Sequence, residues 1–187
     1  DIKDKVSGHW GNVSQVNFLY SHLNYFCKKH CKSAGLIVGT GHSGLPVLVN
    51  LYLEGVLDKY YTNISINSLI EGFGQEGGFR SEINPEYCGV IYDGGELGYS
   101  LMHAFGAVIN SRRIVFCLVG DGEAETGTIS SSWYLNKYLN NKDGIVVPVL
   151  NLNGFKMGSK SFFSKMSNKE LKSYFGSLGY NVYFCDY

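Results

Sequence analysis

Two apolar runs, Ile114-Val115-Phe116-Cys117-Leu118-Val119 and Ile145 to Leu152, flank a segment with helical character, 125–139. That order constrains the fold more than any other feature of the chain. Strands that alternate with helices pair in parallel, and the connecting helices cover both faces of the sheet. Leu36-Ile37-Val38 and the run 181–185 are two further strand candidates, and helices are expected over 14–32, 45–57, 94–110 and 168–178. Ser14 is the candidate N-cap of the first helix. Pro46 fits the first turn of the second, where a missing N–H costs nothing. The expected fold is α/β, a Rossmann-like parallel sheet with helices on both faces. Gly72, Gly74, Gly77, Gly78 and Gly89 mark 72–92 as a long irregular loop, a kind of segment that tends to be functional.

In parallel sheets of this kind ligands gather at the carboxyl ends of the strands. The first run ends in Gly120-Asp121-Gly122-Glu123 and the second in Asn153-Gly154, so a carboxylate and an amide oxygen emerge from strand ends 32 positions apart. Both are hard oxygen donors of the kind Mg²⁺ takes, and Mg²⁺ is usually held by one or two protein ligands together with the phosphates of a bound cofactor. The flanking glycines permit a diphosphate to approach the backbone. Asn151 is a competing amide on the same side but deeper, which leaves Asn153 preferred. Glu123 and Glu125 open the next helix, where negative charge suits the dipole; capping is the reading for Glu125, and Glu123 is close enough to order the turn. The shorter strand ends at Gly39-Thr40-Gly41-His42-Ser43-Gly44, which lacks the spacing of a dinucleotide fingerprint.

Lys and Arg number 16, as do Asp and Glu, so the formal net charge is zero and no basic face for nucleic acid or a membrane surface is expected. No stretch approaches the length of a membrane span. The five cysteines lack the density of a disulfide scaffold, and Cys117 and Cys185 read as reduced, core-filling thiols in a cytoplasmic protein. His103, inside the expected 94–110 helix, reads as a satisfied core histidine. The first residue is Asp1 and the last two are Asp186 and Tyr187, both ends reading as cuts in a longer protein.

Asp121-Gly122-Glu123-Ala124-Glu125-Thr126-Gly127, then Ser132-Trp133, Asn136-Lys137 and Leu152-Asn153-Gly154-Phe155-Lys156, resemble phosphoketolase, a transketolase-like thiamine-diphosphate family. The likeness extends to Gly8-His9-Trp10-Gly11, Gly39-Thr40-Gly41-His42 and Gly94-Gly95-Glu96-Leu97-Gly98-Tyr99-Ser100, in order along essentially the whole chain. The resemblance implies a homodimeric parent enzyme that cleaves a ketose phosphate with inorganic phosphate, giving acetyl phosphate and an aldose phosphate. The chain would be the amino-terminal part of its diphosphate-binding domain, acting with the remaining domains. By the same resemblance Asp121, Asn153 and the Phe155 carbonyl are Mg²⁺ ligands, and Gly95, Gly120, Gly122 and Glu123 line the thiamine diphosphate. His9 and His42 contact the sugar, where imidazole suits proton transfer near neutral pH. The glutamate that activates the cofactor's aminopyrimidine belongs to a separate domain, so the isolated chain is expected to be inactive.

Six positions depart from that pattern. The family's proline-serine-histidine stretch is here Arg80-Ser81-Glu82, and its His-Glu pair ahead of the two glycines is Tyr92-Asp93. Ser43 replaces a glycine and Asn151 a histidine. A carboxylate at 82 would repel a phosphosugar unless protonated or turned away. Two alternatives accompany the phosphoketolase reading: a regulatory fragment that binds cofactor or partner without turnover, and a transketolase-type enzyme.

Overall fold

The computed structural model describes residues 10–87 and 90–185. The chain divides into two compact units, one of Asp1–Lys32 with Thr40–Leu97, the other of Ser33–Gly39 with Gly98–Tyr187.

The first unit is helical. Helix α1 spans Val13–His30, α2 Gly44–Leu53 and α3 Ile66–Gly72. Asn12, rather than the expected Ser14, is the N-cap of α1, and it makes no side-chain cap; the Ser14 hydroxyl donates to Gln15 instead. A polar seam joins α1 to α2, with Tyr20 and Asn24 both donating to the Glu54 carboxylate. Leu48, Leu57 and Leu69 form a small core, onto which Tyr52, Tyr61 and Phe79 pack. Helix α3 had no counterpart among the sequence expectations. It is set by a capping box, in which Ser65 accepts from the Ser68 N–H and the Ser68 side chain bonds back to the Ser65 N–H.

The second unit holds the sheet. Strands β1 (Ala34–Val38), β2 (Ile114–Gly120) and β3 (Ile145–Asn151) run parallel in the order β1-β2-β3. Helix α4 (Ser100–Val108) packs on all three, and its Leu101, Ala104, Phe105 and Val108 are buried together with Val115, Cys117 and Val119 of β2. Leu118, on the opposite face of β2, is buried as well, and a strand covered on both faces reads as an unbroken apolar sequence. Two short helices follow, α5 (Asp121–Ala124) and α6 (Gly127–Ser132). A hairpin of β4 (Phe155–Lys156) and β5 (Ser159–Lys160) precedes the last helix, α7 (Asn168–Ser177). Aromatic packing ties α7 down: Phe175 lies 4.9 Å from Trp133 and 5.5 Å from Phe163 between ring centroids.

Four expectations are corrected. The helix expected over 94–110 begins only at Ser100, because Gly98 holds φ at +101°, a conformation no right-handed helix contains. The one expected over 125–139 breaks into α6 and a 3-10 turn, Trp133–Lys137. Ser130, Ser131 and Ser132 hydroxyls bond back to the carbonyls of Gly127 and Thr128 there, the local competition by which serine weakens helices. The run 181–185 forms no strand, and no described residue pairs with it. Finally, Cys185 and His103 are exposed rather than in the core; His103 is nonetheless satisfied by the Tyr99 carbonyl at 2.9 Å.

Candidate functional site at the carboxyl edge of the sheet

The register of β2 on β3 sets Gly120 beside Asn151, so Asp121 and the Leu152-Asn153-Gly154 turn leave the sheet at the same edge. Asp121 is 2% exposed. Its Oδ1 accepts from the Gly122 N–H at 3.1 Å, and its Oδ2 accepts from the Gly154 N–H at 2.9 Å and the Ser161 hydroxyl at 2.6 Å. The carboxylate therefore joins the two turns directly. A carboxylate pair of oxygens has about four lone-pair directions, so the three bonds leave capacity for a cation. The Asn153 Oδ1 accepts from the Phe155 N–H at 2.9 Å, which fixes the amide in a tight turn.

Among the described residues no group of three or more His, Cys, Asp or Glu side chains could hold a metal ion. A cation at this edge would draw on Asp121, Asn153 and a backbone carbonyl, with ligand phosphates completing its shell. That mixed oxygen set suits Mg²⁺, which accepts few protein ligands. The residues present fit the group.

Glu123 points elsewhere. Its Oε1 accepts from the Ser100 hydroxyl at 2.6 Å and the Gly98 N–H at 3.3 Å, which braces the turn against the start of α4. Its Oε2 is buried and has no hydrogen-bond partner among the described residues. Burial pushes this carboxyl up to about 7, against the smaller opposing effect of the Ser100 hydrogen bond. Gly39 makes the arrangement possible, since a Cβ there would fall 2.3 Å from both Glu123 Oε2 and Ser100 Oγ. Gly122 has a similar steric role. The space its Cβ would need is taken by Lys156, whose own Cβ would be 2.8 Å away, so the close approach at this glycine is made by the hairpin. Glu125 pairs with Lys156 and accepts from the Phe162 N–H, which makes it a cross-link to the hairpin rather than a helix cap.

Of the residues singled out from sequence, Gly120, Asp121, Gly122, Glu123, Asn153 and Phe155 all belong to the second unit, at or just beyond the ends of β2 and β3. His42 and Gly95 belong to the first unit. There the Gly95 N–H donates to Asp93 at 2.9 Å, and His42 meets Ser81 and Glu82. Tyr92 is buried, its hydroxyl donating to the Glu96 carbonyl at 2.8 Å. His9 lies outside the described residues. Sequence reasoning missed the roles of Ser161 and Ser100, which reach Asp121 and Glu123 from 40 and 23 positions away; Ser161 stands in no motif, and Ser100 only closes the Gly94–Ser100 segment with no role assigned to it.

The whole chain, residues 1–187, matches the family model of the XFP N-terminal domain. It is similar to a probable phosphoketolase 2 of Nostoc sp., 45% identical over 192 residues, covering 99% of this chain and 24% of the relative. A probable phosphoketolase of Clostridium acetobutylicum is 43% identical over 192 residues, with 99% and 24% covered. One from Bifidobacterium animalis subsp. lactis is 39% identical over 190 residues, with 98% and 23% covered. The chain spans about a quarter of the length of these relatives.

Proposed function

Given that the chain belongs to the XFP N-terminal domain family, the amino-terminal domain of phosphoketolases, we propose that it is the Mg²⁺–thiamine-diphosphate-binding part of a lyase acting on a ketose phosphate and inorganic phosphate. The products would be acetyl phosphate and a shorter aldose phosphate. The observation that carries this reading is the Asp121 carboxylate, buried and bonded across to the Gly154 N–H.

Asp121, Asn153 and the Phe155 carbonyl would hold the cation, and Gly95 and Gly120 would lie along the cofactor. Thiamine diphosphate, when bound, supplies the carbanion-stabilising chemistry that carbon–carbon cleavage beside a ketone requires. The chain's own part is to place charge and exclude motion. Ser161 and the Gly154 N–H restrain Oδ2 of Asp121, so the cation site is preformed and loses little side-chain entropy on binding. Glu123 holds the turn to α4. His9 and His42 would exchange protons with substrate hydroxyls or phosphate.

The regulatory alternative draws its support from Glu82 and Tyr92. The Glu82 carboxylate accepts from the Ser81 hydroxyl and lies 2.8 Å from the His42 imidazole, so it is held by its own neighbours in the first unit.

Calorimetry of thiamine diphosphate with Mg²⁺ on the full-length protein tests the assignment. Asp121→Ala should weaken binding by more than the roughly 10- to 100-fold typical of losing an outer partner of a metal ligand. Equal affinity in wild type and variant would remove Asp121 from the site.

A further inference from the structure

His42, Ser81 and Glu82 form a closed hydrogen-bonded ring within the first unit. The His42 Nδ1 lies 2.8 Å from Glu82 Oε1 and 2.9 Å from Ser81 Oγ, and the Ser81 hydroxyl donates to Glu82 Oε2 at 2.9 Å. The backbone holds the ring in register. The Gly44 N–H at the start of α2 donates to the Ser81 carbonyl at 2.8 Å, and a Cβ at 44 would stand 2.6 Å from the Glu82 carbonyl oxygen. The loop carrying His42 and the loop carrying Glu82 are thus packed backbone to backbone, with no room for a side chain between them.

The proton positions follow from the geometry. The Ser81 hydroxyl spends its one hydrogen on Glu82, so it can only accept from His42. A carboxylate oxygen is likewise an acceptor. Two acceptors facing Nδ1 at these distances require that Nδ1 carry the hydrogen. The ring closes with every donor matched, and in the neutral imidazole Nε2 is then the acceptor nitrogen. This is not a hydrolytic triad. There the hydroxyl and the carboxylate sit on opposite imidazole nitrogens, whereas here both sit on one.

We propose that Glu82, with Ser81, is a positioning residue that fixes His42 as its Nδ1–H tautomer, which makes Nε2 the basic nitrogen of the ring. The identity of the substrate rests on the phosphoketolase reading; the tautomer does not. Glu82 thereby turns a change that seemed hostile to a phosphosugar into a means of setting the direction of proton transfer. The hydroxyl-bearing part of the substrate belongs at this imidazole. Its phosphate does not, because the adjacent carboxylate opposes an anion.

The tautomer can be read on the chain itself, labelled with ¹⁵N in its histidine rings, at a pH that leaves the imidazole neutral, with His42 assigned through His42→Gln. The expected spectrum shows a protonated-type Nδ1 and a pyridine-type Nε2, with the pattern lost in Glu82→Ala and kept in Glu82→Gln, whose side-chain carbonyl still accepts. A pyridine-type Nδ1 in wild type, or an unchanged pattern in Glu82→Ala, overturns the proposal. In the full-length protein Glu82→Ala should lower kcat/KM for the ketose by roughly 10- to 100-fold, the scale on which orienting partners of functional histidines act. KM for phosphate should be unchanged and Glu82→Gln should restore most of the loss. A fall in phosphate affinity instead would place the anion at His42 and also overturn it. Absence of any ketose cleavage by full-length wild type would sink the functional reading alone and leave the tautomer result standing.

Discussion

Glu123 is 3% exposed, with one carboxylate oxygen held by Ser100 and Gly98 and the other facing Gly39 without a donor. Burial raises its proton affinity from the ordinary 4.5 to about 7. Between those values the folded chain keeps a proton that the unfolded chain releases. Stability therefore falls as pH rises through that window and is level outside it. At about 1.4 kcal/mol per unit the effect is at most about 3 kcal/mol. Melting curves of the chain without cofactor should show wild type losing roughly 5–10 °C between pH 5 and 8 relative to Glu123→Gln, which has no charge to bury. Parallel curves for the two proteins would mean that the carboxyl is solvated. At this scale the sequence was most informative where turn chemistry is local. Asp121 and Asn153 announce themselves because Asp-Gly and Asn-Gly at strand ends are recognisable without the fold. Ser161 announces nothing, and Gly39 announces a strand end but not its contact with Glu123, because those roles come from contacts made across the chain.

Helix α7 offers a measure of how local signals build an element. Ser167 accepts from the Glu170 N–H at 3.4 Å, and Glu170 accepts from the Ser167 N–H at 2.7 Å and its hydroxyl at 2.8 Å. The box orders a helix whose Leu171 and Phe175 are buried. Ser167→Ala should cost about 1 kcal/mol, seen as a lower urea midpoint with an unchanged slope; no shift would mean that the aromatic packing alone sets the helix start. Strands β2 and β3 and helices α1 and α7 were legible in the sequence, because continuous apolar runs or helical periodicity extend across each of them. The failures share a cause. Apolar content alone does not separate a helix from a glycine turn leading into it, which is why α4 was expected six residues too early. Nor does it reveal whether a strand-like run has a neighbour, and 181–185 has none among the described residues. Helix α3 was missed for the opposite reason. Its capping serines sit in a polar stretch with little periodicity, and Leu69 is its only buried residue.

For the molecule as a whole, the decisive matter is which acids are at hand. The two most buried carboxyl groups among the described residues, Asp121 and Glu123, both bond within the second unit, the first to the Gly154 turn and Ser161, the second through one oxygen to Ser100 and Gly98. Asp121 is fixed at the strand edge, and Glu123, though one of its oxygens has no donor, is buried against Gly39. The chain spans only about a quarter of the length of its relatives. Formal net charge is zero, and no helix among the described residues is long and apolar enough to cross a membrane. The expectation is that the isolated 187-residue chain, given Mg²⁺, thiamine diphosphate, a ketose phosphate and inorganic phosphate, forms no acetyl phosphate by hydroxamate assay. The full-length protein under the same conditions should form it, and omission of inorganic phosphate should abolish the signal. Acetyl phosphate from the isolated chain would show that a catalytic acid has been overlooked within these residues. Ketose cleavage by the full-length protein that proceeds equally well when inorganic phosphate is replaced by an added aldose phosphate would instead favour a transketolase-type reaction, with the aldehyde accepting the two-carbon unit in place of phosphate.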